Sequence, residues 1–127
     1  MSIAVIGAGA FGTALAVTLA RKGPVTLWGR DPAHVAEMVA TGENRRRLPG
    51  VALPPSLLVS AFLDTVFEAD MLLLALPMQA LGGFVAQHDL AGKIAVACCK
   101  GMDLATGHGP AAMLRGAFIL PPGGKGI

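Results

Sequence analysis

Short apolar bursts alternate along the chain with longer stretches in which apolar residues recur at helical spacing. Ile3–Ile6 is the first burst, and residues 13–22, rich in alanine and leucine with Arg21 and Lys22 in the last turn and Gly23 beyond, predict the first helix. Val25–Trp28 predicts a second strand. Asp31 and Pro32 then offer an N-cap and a proline at the first helical position of a helix that runs to about Thr41 and stops at Gly42. Residues 43–55 hold three arginines and three prolines and are expected to be loop. Residues 57–59 predict a short strand and 63–68 a short helix. The continuous apolar run 71–76, bounded by Asp70 and Pro77, suits a strand buried on both faces. Residues 79–87 are expected to be helical, weakened by Gly82 and Gly83, residues 94–98 form a fifth strand, and 110–115 hold one or two helical turns. Strands alternating with helices at this spacing imply βαβ units with right-handed crossovers and a parallel sheet covered on both faces.

The first strand runs into Gly7-Ala8-Gly9-Ala10-Phe11-Gly12, a G-x-G-x-x-G set between a strand and a helix. A strand feeding a tight turn that opens a helix points backbone N–H groups and the positive helix end at one place, and a pyrophosphate fits there. Gly7 permits the sharp turn, Gly9 lets phosphates approach the backbone, and Gly12 lets the helix lie close to the strand. In a chain with 17 glycines the spacing alone would say little; its placement gives it weight. The expected fold is an α/β Rossmann-type doubly wound parallel sheet, a single truncated domain, with the glycine turn at the topological switch point.

Composition narrows the class. At 127 residues the chain is one domain by size, 54% hydrophobic and only 14% charged, enough apolar material for a core and some left to face a partner. A net charge of +2, from 10 basic and 8 acidic residues, argues against nucleic-acid binding. The most apolar long stretch, 69–86, is broken by Asp70, Pro77, Gln79 and two glycines, so no membrane insertion is expected; with no basic region before the first apolar residues, the expectation is a cytoplasmic protein. Cys98 and Cys99 are adjacent and read as two small buried residues at a strand end. His34, His88 and His108 have no matched Ser, Cys or Asp partners in sequence, so neither catalysis nor metal binding is assigned to them.

In a dinucleotide fold the end of the second strand meets the adenosine ribose, where an acidic residue selects NAD. Here that strand ends Leu27-Trp28-Gly29-Arg30-Asp31. No carboxylate stands at the expected place, Asp31 serves the next helix, and Arg30 can pair a 2′-phosphate, which favours NADPH over NADH. Arg45-Arg46-Arg47 offers a second phosphate site if the side chains point that way; otherwise it is a solvated charge run. Lys100 follows the fifth strand and would project into the crevice at the strands' carboxyl ends, near substrate phosphate or nicotinamide. Pro77, at the corresponding end of the fourth strand, would end pairing and let the chain turn over the nicotinamide side.

The blocks Ile6 to Ala16, Leu27-Trp28-Gly29-Arg30-Asp31-Pro32, Asn44 through Leu48-Pro49-Gly50, and Lys100-Gly101-Met102-Asp103 together resemble the bacterial NAD(P)-dependent glycerol-3-phosphate dehydrogenases, in order along about residues 3–110. The resemblance implies interconversion of dihydroxyacetone phosphate and sn-glycerol 3-phosphate, feeding phospholipid synthesis. It also implies that Ala10, Phe11 and Arg30 contact NADPH and that Lys100 reaches both cofactor and the small phosphate substrate. A homodimer is implied only for the full-length family.

This chain departs from the family pattern in three places. Ala10 stands where the family often has serine, Cys98-Cys99 replaces small or hydroxylated residues, and residues 116–127 match nothing of the Gly-Pro-Ser/Thr-Phe-Ala segment that leads into the family's helical domain. That domain carries the acid/base lysine. The expectation is therefore a cofactor domain at 1–115, a tail at 116–127 that is disordered or a stub of the next strand around 118–120, and little turnover by the chain alone. The rivals are an NAD(P)-binding module without catalysis, the cofactor domain of a 2-hydroxyacid oxidoreductase like ketopantoate reductase, and a fragment that aggregates through its uncovered apolar faces.

Overall fold

The computed structural model describes residues 2–76, 84, 94–98 and 117–119. The first half alternates strand and helix: β1 (Ile3–Ile6), α1 (Ala10–Ala20), β2 (Val25–Trp28), α2 (Pro32–Thr41). A small hairpin follows, β3 (Glu43–Asn44) and β4 (Leu48–Ala52), then β5 (Leu57–Ser60), α3 (Leu63–Val66), β6 (Met71–Leu74), β7 (Ile94–Cys98) and β8 (Ala117–Ile119). Six strands form one sheet in the order β5-β2-β1-β6-β7-β8. The first five are parallel, with Ile3 opposite both Val25 and Met71. The chain winds outward from β1 to β2 and β5, then crosses to β6 and β7, so the strand order reverses beside β1, where the glycine turn begins.

Alternation along the strands covers both faces. Val5, Val25 and Leu27 pack with Ala16, Val17, Ala20 and Met38 of α1 and α2 on one side. Ala4, Ile6, Leu72 and Leu74 pack with Val66 and Phe84 on the other. This two-sided burial explains why the central strands read as unbroken apolar runs rather than alternating ones. In α1 the buried residues Thr13, Ala16, Val17 and Ala20 fall at the spacing of one helical face. At the amino end of the sheet, Asp70 ties β6 to the chain start: its Oδ2 accepts from the Ser2 N–H at 3.0 Å and its own N–H donates to the Ser2 carbonyl at 3.1 Å.

Several expectations are corrected. The first helix begins at Ala10 rather than at residue 13, because the turn closes within Gly7–Gly9 and Gly9 already serves as N-cap. The stretch 43–55 is not simply loop. Its proline- and arginine-rich composition hides a two-stranded antiparallel pair held where Gly42 takes the left-handed conformation (φ 71°) and ends α2, and where the Gly50 N–H (φ 82°) donates to Glu43 Oε2 at 2.9 Å. The sheet is also not wholly parallel. Ala117–Ile119, where the sequence allowed a stub of the next strand, is a strand and runs antiparallel to β7, with Phe118 opposite Ala97. The strand read at 71–76 ends at Leu74, and the short helix at Val66. The expected helical stretches 79–87, Phe84 apart, and 110–115 lie outside the described residues.

Asp31 caps α2 as its sequence predicts: Oδ1 accepts from the Ala33 N–H at 3.0 Å, with Pro32 in the first turn. Asp31→Ala is expected to lower stability by about 1 kcal/mol, read as an earlier urea midpoint at unchanged slope. An unmoved midpoint would mean that the cap contributes nothing. The exposed ion pair of Asp31 with Arg46 (3.5 Å) adds little to this.

Candidate functional site

Backbone sterics build the turn between β1 and α1. Gly7 has φ 119°, a conformation side chains rarely adopt, and a Cβ there would run into the carbonyl oxygen of Ala75, just past the end of β6. A Cβ on Gly12 would run into the carbonyl oxygen of Gly7 and lie 3.2 Å from the Ala75 Cβ. Both glycines are buried, so helix, turn and the neighbouring strand meet main chain to main chain. The turn is tied in from both sides: the Gly7 N–H donates to the Trp28 carbonyl at 2.9 Å, and the Ala75 N–H to the Ile6 carbonyl at 2.8 Å.

Gly9 differs. A Cβ there would meet nothing within 4 Å. It is the N-cap of α1, with extended backbone and no side chain capping the helix, and its carbonyl accepts the Thr13 N–H at 3.0 Å. Helix geometry leaves the N–H groups of Gly9, Ala10, Phe11 and Gly12 without an acceptor in the preceding turn. No acidic side chain occupies that first turn. The result is an open helix N-terminus at the carboxyl edge of a parallel sheet, at its switch point, with unclaimed donors and the positive end of the helix dipole. Its chemistry suits an anion carried on a chain thin enough to lie against glycine backbone, and the space over Gly9 meets that requirement.

The end of β2 closes one side. A Cβ on Gly29 would come within 3.0 Å of Val35 Cγ2 and 3.2 Å of Ala8 Cβ, so β2 leaves the sheet pressed against the glycine turn. Nothing in the sequence around Trp28 and Gly29, where the carboxylate is missing, signals this contact. Arg30 follows on the surface, and among the described residues its side chain has no hydrogen-bonding or ionic partner. The three consecutive arginines separate by role. Arg45 pairs with Glu43 (3.6 Å), and Arg46 with Asp31 (3.5 Å) and Glu37 (3.3 Å), while the Arg47 side chain has no acidic partner among the described residues. Lys100 and Pro77 lie outside the described residues, as do His88, His108 and Cys99. Cys98 is buried and not in a disulfide.

A polar hub lies beneath the turn. Asn44 is fully buried, as is Thr13, and His34 nearly so. The Asn44 Nδ2 group donates to the Ala8 carbonyl at 3.0 Å and to Thr13 Oγ1 at 2.8 Å. Its Oδ1 lies 2.8 Å from His34 Nε2 and accepts from the Arg47 N–H at 3.2 Å. With both amide hydrogens already donated, Oδ1 is the acceptor, so His34 carries its proton on Nε2. The histidine left unassigned by the sequence therefore supports the hub. Asn44 stands in sequence between Glu43 and three arginines, and those neighbours carry no signal that it is buried.

Among the described residues no group of three or more His, Cys, Asp or Glu could hold a metal, and no helix is long and apolar enough to cross a membrane. Trp28, the chain's single tryptophan, packs on Phe84 with ring centroids 6.2 Å apart, and its buried Nε1 has no partner among the described residues.

Fold and turn together define a dinucleotide-binding α/β unit of the doubly wound class. Comparison with known proteins is more specific: residues 2–115 match the family described as NAD-dependent glycerol-3-phosphate dehydrogenase N-terminus, and the chain belongs to that family. It is 54% identical over 117 residues to a glycerol-3-phosphate dehydrogenase (NAD(P)+) of Ruegeria sp., covering 91% of this chain and 37% of the relative. It is 58% identical over 119 residues to the protein of the same name in Paracoccus denitrificans, covering 92% and 36%. A crystal structure of glycerol-3-phosphate dehydrogenase from Coxiella burnetii superposes with a TM-score of 0.64 at 40% identity, over 68% of this chain and 27% of that one. The chain thus spans about a third of the length of the curated relatives it matches.

Proposed function

We propose that this chain is the NADPH-binding portion of a glycerol-3-phosphate dehydrogenase that interconverts dihydroxyacetone phosphate and sn-glycerol 3-phosphate for phospholipid precursor synthesis. The observation that carries the proposal is the uncapped N-terminus of α1, whose first N–H groups no side chain claims and beside which a Cβ on Gly9 would meet nothing within 4 Å. Family membership supports the dehydrogenase assignment. The nicotinamide dinucleotide supplies the hydride when bound. The chain's own part is to hold and orient it. Gly9, Ala10, Phe11 and Gly12 donate main-chain hydrogen bonds to the diphosphate, Gly7 lets the turn close beneath it, and the surface guanidinium of Arg30 takes the 2′-phosphate of the adenosine ribose. Arg47, whose charge no carboxylate claims among the described residues, is the member of the arginine run suited to assist. Residues 1–115 act as the cofactor unit, with Pro77 assigned to the nicotinamide side and Lys100 to both cofactor and substrate.

Trp28 gives a direct test, since its carbonyl accepts from Gly7 and its emission overlaps nicotinamide absorption. NADPH is expected to quench Trp28 fluorescence saturably, with the same affinity in calorimetry. Absence of binding by both methods would end the proposal. Arg30→Ala is expected to weaken NADPH by about tenfold, the scale of one charge-assisted contact, and to leave NADH unchanged. Equal losses for both nucleotides, or none, would remove Arg30 from 2′-phosphate recognition.

A further inference from the structure

Asn44 is the one side chain among the described residues that hydrogen-bonds to the main chain of the glycine turn, and it does so from 36 positions away. All four of its hydrogen-bonding positions are used. Nδ2 holds the Ala8 carbonyl and the Thr13 hydroxyl, while Oδ1 accepts from His34 and from the Arg47 N–H. It therefore joins the turn, α1, α2 and the β3–β4 hairpin at a point with no access to solvent. A buried amide so completely partnered has one orientation, because any rotation would leave several polar groups unsatisfied in a dry environment.

The Ala8 bond has a consequence on the other side of the turn. The peptide joining Ala8 and Gly9 is trans, so its C=O and N–H point in opposite directions. Drawing the Ala8 carbonyl inward onto the buried Asn44 aims the Gly9 N–H the opposite way, away from Asn44, at a residue where a Cβ would meet nothing within 4 Å. We infer that Asn44 is a positioning residue for cofactor binding: it fixes the 8–9 peptide plane so that the Gly9 amide joins those of Ala10, Phe11 and Gly12 as a diphosphate donor. This rests on the dinucleotide reading given above and deepens it. Without the Asn44 bond the plane is free to turn, and a turned plane presents a carbonyl oxygen to an anion in place of an N–H. His34 and Thr13 act one step further out by holding Asn44 in register.

Asn44→Asp separates these contacts. The carboxylate keeps acceptors for His34 and Arg47, can accept from the Thr13 hydroxyl in place of donating to it, and loses the donor to Ala8. The full 127-residue chain and the variant are titrated with NADPH and with 2′-AMP, which lacks the diphosphate, and the Gly9 to Gly12 amides are followed by NMR. The expected result is a loss of about tenfold or more in NADPH affinity, the scale of one well-placed hydrogen bond to an anion, with 2′-AMP affinity unchanged. NADPH should shift the Gly9 amide in the wild type, and the variant should lose that shift selectively. Unchanged NADPH affinity, or equal losses for both ligands, overturns the role. If the variant does not fold, the wild-type spectrum still decides: NADPH shifting the Ala10 to Gly12 amides but not Gly9 overturns the positioning role alone. A wild type in which no amide of the turn responds overturns the dinucleotide reading as well.

Discussion

Gly7→Ala and Gly12→Ala are each expected to lower the melting temperature by more than about 10 °C, or to prevent folding altogether. At Gly12 the new methyl meets the Gly7 carbonyl and the Ala75 Cβ, neither of which is the end of a flexible side chain. Relief requires α1 to lift from the sheet, and Ala16, Val17 and Ala20, buried against β1 and β2, would lift with it. At Gly7 the methyl meets the Ala75 carbonyl, and the residue must also sit at φ 119°. Such backbone strain costs about 1–3 kcal/mol before any displacement is counted. Overpacking of a tight contact adds about as much again. Total stability for a domain of this size is about 5–15 kcal/mol, so either change removes a large share of it. Thermal unfolding followed by circular dichroism checks both. A variant melting within a few degrees of the parent would show that the turn and helix have slack that the backbone contacts deny.

Gly9→Ser is expected to do the opposite to stability and the worst to binding. Gly9 is the N-cap of α1, its φ of −77° and ψ of −174° suit serine, and space for the side chain is open. A serine hydroxyl there would accept from an N–H of the first turn, as N-caps do, and hold or raise the melting temperature. The same hydroxyl would fill the space and claim a donor meant for phosphate. NADPH affinity should fall by about tenfold to a hundredfold, the equivalent of one to two lost hydrogen bonds plus steric exclusion. A more stable protein that binds less cofactor is hard to produce except at a ligand-binding cap. Retained affinity at a raised melting temperature would place the ligand elsewhere.

Much of the architecture was legible because its causes are local. Asp31-Pro32 and Gly42 mark both ends of α2, and the apolar runs at 3–6, 25–28 and 71–74 report two-sided burial through composition alone. The glycine turn was legible because three glycines at fixed spacing between strand and helix answer one steric problem. The β3–β4 hairpin was not, since its strands are short and its pairing depends on the Gly42 and Gly50 conformations and on Glu43 reaching Gly50. A strand around 118–120 was among the readings the sequence allowed, but its antiparallel direction was not, since that is fixed by the edge it finds on β7. At the turn, Gly7 was read as permitting the sharp bend and Gly12 as letting the helix lie close to the strand, and the Gly7 φ of 119° and the main-chain contact at Gly12 agree with those readings. Gly29, one of two residues at the place where an acid was expected, is a further close-approach position, visible only once β2 is placed against Ala8. Asn44 was illegible for a related reason: a polar residue beside three arginines reads as surface, and only long-range contacts bury it. For Arg45 and Arg46 the sequence left a phosphate site and a solvated charge run both open, because their carboxylate partners Glu43, Asp31 and Glu37 are visible only in the fold.

A crystal structure of this chain with NADPH tests the central claim most directly. The diphosphate should lie over Gly9, with oxygens about 3 Å from the amide nitrogens at the start of α1. A diphosphate bound away from that helix end, or density showing the nucleotide on another edge of the sheet, would contradict the account.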